Sequence, residues 1–251
     1  MIELKSKREI QLMQVAGEIL KKVFSAVEPM IAEGITTEAL DRAAEEVIRK
    51  NGGEPAFKGY RGFPKTACIS LNEAVVHGIP DARKLKSGDI VSFDAGVKWQ
   101  GYYADAARSW LVGEKNPKKQ QLIDVARQSL GAALASFEEG WRIGNISEII
   151  QQYVEDRGFQ VVRDYAGHGI GRQLHEDPQV PNYGKAGRGA KIEPGLVIAI
   201  EPMVTEGHYA VETLEDGWTV VTKDRKNASH YEDTIVFTEQ GFINLTSDEV
   251  F

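Results

Sequence analysis

The chain has 251 residues, 42% of them AVILMFWYC and 27% charged, with a formal net charge of -7 at pH 7. That length carries a sizeable core in one domain, residues 1–251, and the acidic balance gives no general basic footprint for nucleic acid. A single cysteine, Cys68, excludes an internal disulfide and a cysteine-rich zinc module; the charged start "MIELKSKREI" lacks the apolar run of a signal peptide and no stretch approaches a membrane span, so a cytoplasmic chain is expected.

In chain order, "SKREIQLMQVAGEILKKVFSAVEPMI" places Ile10, Met13, Gly17, Leu20, Phe24 and Val27 at three- and four-residue spacing, which predicts an amphipathic helix. Ser6 and Glu9 form a capping-box start for it. "TTEALDRAAEEVIRKNGG" predicts a second helix with Leu40, Ala43, Val47 and Ile48 on one face and Gly52 just past its end. Strand-like, turn-rich sequence follows from about Phe57 to Val112. A third helix is expected in "NPKKQQLIDVARQSLGAALASF", with Asn116 as cap and Pro117 in the first helical position. A fourth, "SEIIQQYVEDRGF", ends at Gly158, and strands resume to the C-terminus.

Two helices followed by strands thus occur twice. "GITTEAL" (34–40) resembles "GNISEII" (144–150), and "SGDIVSFDAG" (87–96) resembles "PGLVIAIEPM" (194–203), in the same order and at nearly the same separation. The pairing predicts a duplicated α+β architecture, with pseudo-repeats at about 6–112 and 116–245 and a site at the seam. It also sets Glu201 where the first half has Asp94.

Asp94 and Asp105 lie inside strand-like sequence, where aspartate is disfavoured. A tight turn at "KWQG" (98–101) would make them direct cross-strand partners on one face, about 4.5–5.5 Å apart. Two like charges that close call for a shared proton or a divalent cation. Glu201 interrupts the apolar run "GLVIAIEPMV", Glu232 sits in "HYEDTIVF", and His168 lies in "AGHGIG", read as a glycine-flanked loop where the backbone must not be crowded. Several carboxylates and an imidazole suit a shell for one or two transition-metal ions. Taken singly, each carboxylate also reads as solvent-facing or salt-bridged, Cys68 as a small buried hydrophobe, and His77, His168 and His175 as loop or half-buried histidines. His208 in "EGHYAV" and His230 in "ASHYED" read as surface or edge positions.

"SLNEAVVHGIP", "FDAGVKWQGYYADAAR", "GHGIGRQLHEDP", "IEPM" and "DGWTVVTKD" with "HYEDTIVFT" together resemble the methionine aminopeptidases, in particular the short bacterial type I form. The resemblance runs from the first helix to the last strand and implies the pita-bread fold: two pseudo-twofold halves with a curved antiparallel sheet covered by helix pairs. It implies that Asp94, Asp105, His168, Glu201 and Glu232 hold two divalent ions (Co, Mn, Fe or Zn). Asp94 would bind one ion, Asp105 and Glu232 would bridge both, and His168 and Glu201 would complete the other. By the same resemblance His77 stands near the scissile amide nitrogen, and His175 contacts the substrate carbonyl. Tyr60, Phe63, Cys68, His77 and Trp218 map to the wall of a methionine side-chain pocket, a fitting setting for a flexible thioether. Leu174, where relatives often carry an aromatic, and Arg61, in the variable "GYRGF" loop, depart from the pattern without touching a ligand position.

The implied activity is removal of N-terminal methionine from nascent chains, favouring a small second residue, with Glu201 as ligand and proton shuttle. A monomer with transient ribosome contact is expected, and "NPKKQQ" is the lysine-rich stretch nearest to a docking feature, although a solvated helix start also accounts for it. Proline-specific aminopeptidases and dipeptidases share the fold but typically carry an extra N-terminal domain and a further histidine in the ligand region. Type II enzymes carry an insert for which the stretch from His175 to Glu201 leaves no room. Creatine hydrolases share the fold without this five-ligand set, and non-enzymatic binding relatives lose ligands that are all present here.

Overall fold

The computed structural model describes residues 2–249. Helix α1 (Lys7–Val27) opens with the expected reciprocal cap: Ser6 Oγ accepts from the Glu9 amide, and the Glu9 carboxylate accepts from the Ser6 amide at 2.8 Å. Met13, Gly17, Leu20, Phe24 and Val27 are buried along one face, and Ile10 is half-buried. Gly17 lies so close to the Leu245 carbonyl that any Cβ would collide with it, so the C-terminal segment packs directly on the helix backbone. In α2 (Thr37–Lys50) the buried stripe is Leu40, Ala44 and Ile48, with Ala43 and Val47 at its half-buried edge.

Strands β1 (Glu54–Pro55), β2 (Ala67–Leu71), β3 (Ala74–Val76), β4 (Ile90–Trp99) and β5 (Tyr102–Leu111) follow. Next, α3 (Pro117–Ala135) starts where Asn116 Oδ1 accepts from the Lys119 amide at 3.2 Å. Helix α4 (Ile143–Glu155) begins a turn before the expected Ser147, because Asn145 Oδ1 accepts from the Arg142 amide at 3.1 Å and from Gly187 at 3.0 Å. The remaining strands are β6 (Gln160–Val161), β7 (Ala166–Gly169), β8 (Glu176–Pro181), β9 (Val197–Ile200), β10 (Met203–Thr205), β11 (Val211–Thr213), β12 (Val220–Thr222), β13 (Ala228–His230), β14 (Asp233–Thr238) and β15 (Gly241–Asn244).

Every strand pairing is antiparallel. One sheet has the order β1-β4-β2 with β5 also on β4; the largest runs β15-β14-β9-β7-β8. Residues of α1 and α2 share a core with β2, β4 and β5, while α3 and α4 share one with β9 and β14. The sheets join where Ala107 and Glu232 exchange both backbone hydrogen bonds, at 3.2 and 3.0 Å. Two helix-covered sheets meeting at one seam realise the expected α+β architecture.

The register of the β4–β5 hairpin corrects one expectation. The loop is Gln100-Gly101, both at positive φ (48° and 84°), and Trp99 pairs with Tyr102. Such a two-residue turn needs positive φ at both central positions, a conformation open to glycine and costly for Trp99, so the turn sits one residue later than expected. Asp94 therefore faces Ala107, and Asp105 faces Gly96. The ladder has moved by two residues, so the aspartates keep the same face as diagonal rather than direct neighbours.

Candidate metal centre

Strand periodicity aims the acids at the seam. In β4, Val91, Phe93, Ala95 and Val97 enter the α1–α2 core, which turns Asp94 to the opposite face; in β5, Ala104 and Ala106 do the same for Asp105. In β9, Ile198 and Ile200 enter the α3–α4 core and Glu201 follows on the other face. Glu232 comes from the seam itself, through its backbone pairing with Ala107. Thr234 clamps the junction, its Oγ1 accepting from the Asp105 amide at 3.0 Å and donating to the Asp105 carbonyl at 2.8 Å.

His168 lies on strand β7 rather than in a loop, although the reason given for its glycines holds. A Cβ on Gly167 would run into the Ala199 carbonyl, and one on Gly169 into that of Asp177. The two glycines let the strand pack close enough to bring the imidazole to the acids. His168 Nδ1 lies 2.8 Å from the Gly169 carbonyl, so it carries the proton and leaves the Nε2 lone pair facing inward, 3.8 Å from Glu201 Oε1.

Asp105, His168 and Glu232 each bring a ligand atom within 4.8 Å of the other two. Asp94 Oδ1, Asp105 Oδ1 and Glu232 Oε1 are buried without a hydrogen-bond partner. Burial raises Asp94 well above the ordinary carboxylate range, reinforced by the charges of Asp105 and Glu201; it raises Glu201 too, with Asp105 adding to it. Glu232 is raised by burial and then by Asp105, Glu201 and Asp94, and burial alone lifts Asp105 to about 7. Buried oxygen atoms with unused lone pairs and mutually repelling charges fit divalent cations, which supply the missing partners and the opposite charge. A buried Asp/His/Glu group able to bind metal is thus present.

Every residue expected at the site lines one cavity of about 420 Å³. On one wall the Phe63 and Trp218 rings meet edge to face at 5.1 Å, and His77 stands edge-on to Trp218 at 6.4 Å and to Tyr165 at 5.7 Å. Cys68 is buried there, its thiol raised by burial and by the nearby carboxylates. His175 is exposed at the mouth, its Nδ1 2.9 Å from the Tyr60 hydroxyl, its ring stacked on Tyr60 at 5.2 Å and 4.2 Å from the His168 ring. Although the residue as a whole is exposed, its ring is desolvated where it packs on Tyr60 and His168; this, then the charges of His168, Arg61 and His77, depress His175 to about 3, while burial depresses His168 to about 4 and lowers His77. All three are neutral near pH 7. Arg61 lies over the Tyr60 ring at 5.3 Å, and buried Leu174 joins the lining.

His230, too, was misplaced by sequence reasoning. His230 is buried in the cavity wall, 2% exposed, rather than at a surface or edge, and its Nε2 has no hydrogen-bond partner. The signal was available: it stands two residues before Glu232, and alternate residues of extended chain share a face. Tyr165 and Met203 also line the cavity without having been singled out. His208 is exposed as expected.

Antiparallel sheets under helix pairs meet here at a buried acid-and-imidazole centre able to bind metal. The chain belongs to metallopeptidase family M24, whose model matches residues 11–239. It is similar to a methionine aminopeptidase of Clostridium perfringens, 50% identical over 96% of this chain and 97% of that one. Its fold matches the crystal structure of the Thermotoga maritima methionine aminopeptidase with a TM-score of 0.97 at 44% identity, covering 99% and 100% of the two chains. A prolidase from Pyrococcus furiosus matches with a TM-score of 0.80 at 25% identity, over 98% of this chain but 66% of its own. The pita-bread fold expected from the motifs is the fold observed.

Proposed function

We propose that this chain removes the N-terminal methionine from nascent proteins and peptides, favouring a small second residue. The observation that carries the reading is the convergence of Asp94, Asp105, His168, Glu201 and Glu232, drawn from both sheets, on one cavity where buried carboxylate oxygens lack partners. Its support in kind is the full-length similarity to methionine aminopeptidases, against a prolidase whose chain extends well beyond the matched region.

In this reading Asp94, Asp105, His168, Glu201 and Glu232 would together hold two divalent ions, Mn(II), Fe(II), Co(II) or Zn(II). Ions so bound lower the pKa of water towards neutrality and polarise a carbonyl. Glu201 takes the proton of the attacking water and delivers it to the departing amine. His175, exposed at the mouth and oriented by Tyr60, donates to the substrate carbonyl as charge develops on it. His77 stands at the scissile nitrogen. Tyr60, Phe63, Cys68, His77 and Trp218 receive the methionine thioether. The free α-amine faces the acidic ligands, which limits cleavage to one residue at a time.

The whole chain acts as one catalytic unit, with pseudo-repeats at about 6–112 and 116–245 contributing ligands from each side. No helix among the described residues is long and apolar enough to cross a membrane, and the reading places the chain in the cytoplasm as a monomer. Transient ribosome contact follows from a nascent substrate. The start of α3 offers little free charge for it, since Lys118 pairs with Glu206 and Lys119 Nζ donates to the Gly88 carbonyl at 2.6 Å.

The test is a metal-stripped preparation re-dosed with each ion and assayed on Met-Ala-Ser and on Xaa-Pro peptides, with Glu201→Ala alongside. Metal-dependent cleavage of Met-Ala-Ser, lost in Glu201→Ala, is expected. Cleavage of Xaa-Pro in its place would refute the substrate assignment, and undiminished turnover by Glu201→Ala would remove that residue from the mechanism.

A further inference from the structure

His230 is held with unusual care for a residue that has no partner. Its amide lies 3.3 Å from both Ser92 Oγ and Ser109 Oγ, its carbonyl accepts from Ser109 Oγ at 2.8 Å, and the two hydroxyls lie 2.7 Å apart. Residues of β4 and β5 thus fix the backbone of β13 at the point where the imidazole leaves it. The side chain then reaches between two glutamates. Nε2 lies 3.7 Å from Glu201 Oε2 and 3.9 Å from Glu232 Oε2. Glu201 divides its oxygens: Oε1 faces His168, and Oε2 faces His230.

A buried imidazole nitrogen left unpaired is destabilising. A histidine serving only the core would not be aimed at two carboxylates from a backbone clamped in place. Closing the 3.7 Å gap to hydrogen-bond length takes a shift of about 0.5–0.8 Å.

We propose that His230 is a positioning residue of the metal centre, its Nε2–H donating to Glu201 Oε2, the oxygen that faces it while Oε1 faces His168. This rests on the metal-dependent reading above. Held through one oxygen, Glu201 keeps the orientation in which the other can bind an ion, and a donor behind a ligand carboxylate strengthens ion binding.

The test compares His230→Gln, whose amide reaches about as far as Nε2, with His230→Leu and with His230→Asn, whose amide falls short. Each metal-free protein is titrated with Mn(II) against a chromophoric chelator, and kcat and KM are measured on Met-Ala-Ser. His230→Leu and His230→Asn should bind Mn(II) about 10–100-fold more weakly, with kcat reduced and KM within about twofold, while His230→Gln stays within about threefold of the parent. Should His230→Leu fail to fold, His230→Asn carries the comparison. Parental affinity in the Leu or Asn variant, or a loss in His230→Gln as deep as in His230→Asn, overturns the proposal. An unmodified protein that binds no Mn(II), Fe(II), Co(II) or Zn(II) would instead overturn the metal-dependent reading itself.

Discussion

Replacing Asp233 by alanine tests how the seam between the sheets is held. Asp233 is fully buried, and its carboxylate accepts from Arg108 Nη2 at 2.6 Å, Thr246 Oγ1 at 2.7 Å and Asn244 Nδ2 at 2.9 Å. Arg108 packs against Tyr231 and Phe24, 4.3 and 5.1 Å from their ring centroids, and donates to the Ala107 and Glu232 carbonyls at 2.9 and 2.6 Å. Guanidinium cannot shed its charge. Asp233→Ala therefore strands a buried cation among carbonyl dipoles, and about 3–5 kcal/mol of stability should be lost, a large fraction of the ~5–15 kcal/mol typical of a domain. Arg108→Met combined with Asp233→Leu leaves no uncompensated ion and should recover more than half of that loss. Urea unfolding of the metal-free proteins, followed by circular dichroism, gives both numbers if the m-values agree. A cost below ~1 kcal/mol for Asp233→Ala would place the pair with exposed ion pairs and refute the reasoning. A double variant no better than the single one would show that the hydrogen bonds of Arg108, rather than its charge balance, carry the seam.

The stability that Asp105 contributes to the metal-free protein should fall as pH rises from about 4 to about 7, against the opposite slope of His168 and His175, which burial depresses. Burial lifts Asp105 to about 7, so the folded state holds a proton there that the unfolded chain releases near its ordinary value; thermal melts in chelator of the parent against Asp105→Asn check this, and a stability difference independent of pH would contradict it. Trp218→Ala should raise KM for Met-Ala-Ser about tenfold with kcat nearly unchanged, since it removes part of the thioether wall and no ligand. Equal losses in kcat and kcat/KM would place Trp218 in the transition state instead. Gly96→Ala should cost about 1–3 kcal/mol and weaken ion binding. Its Cβ would meet the Ala56 Cβ at 2.8 Å, the Phe57 ring at 2.9 Å and Asp105 Oδ1 at 3.4 Å. Parental stability and parental Mn(II) affinity in this variant would show that the hairpin yields there.

What was legible in the sequence was what local chemistry controls. The Ser6–Glu9 box, the Asn116 cap and the Pro117 start all form as read, because a cap is decided within four residues of chain. The hairpin turn was misread because "KWQG" and "WQGY" differ only in which residues must take positive φ, and the glycine decides for the later one. Helix α4 began early because its start is stabilised by the distant Gly187 amide, which no local pattern reports. Ligand candidates showed as acids interrupting apolar runs, a conflict between strand burial and charge. His230 escaped because an imidazole in a polar stretch offers no such conflict; only its phase with Glu232 marked it.

The cost of the site falls on elements that do not depend on cations. Buried carboxylates repel one another across the seam, yet the Ala107–Glu232 bridge, the Thr234 clamp and the Arg108–Asp233 pair all close it without engaging their oxygens in the cavity. A scaffold built this way should present a preformed site, unlike small metal-folded domains whose apo form is unfolded. The metal-free chain should therefore keep its circular dichroism and a cooperative melt. Added Mn(II) should raise the melting temperature in proportion to RT ln(1 + [L]/Kd), with no change in secondary structure. If stripping the ions abolished the cooperative transition, the cations themselves would be holding the two sheets together, and the three contacts named here would be consequences of metal binding rather than its foundation.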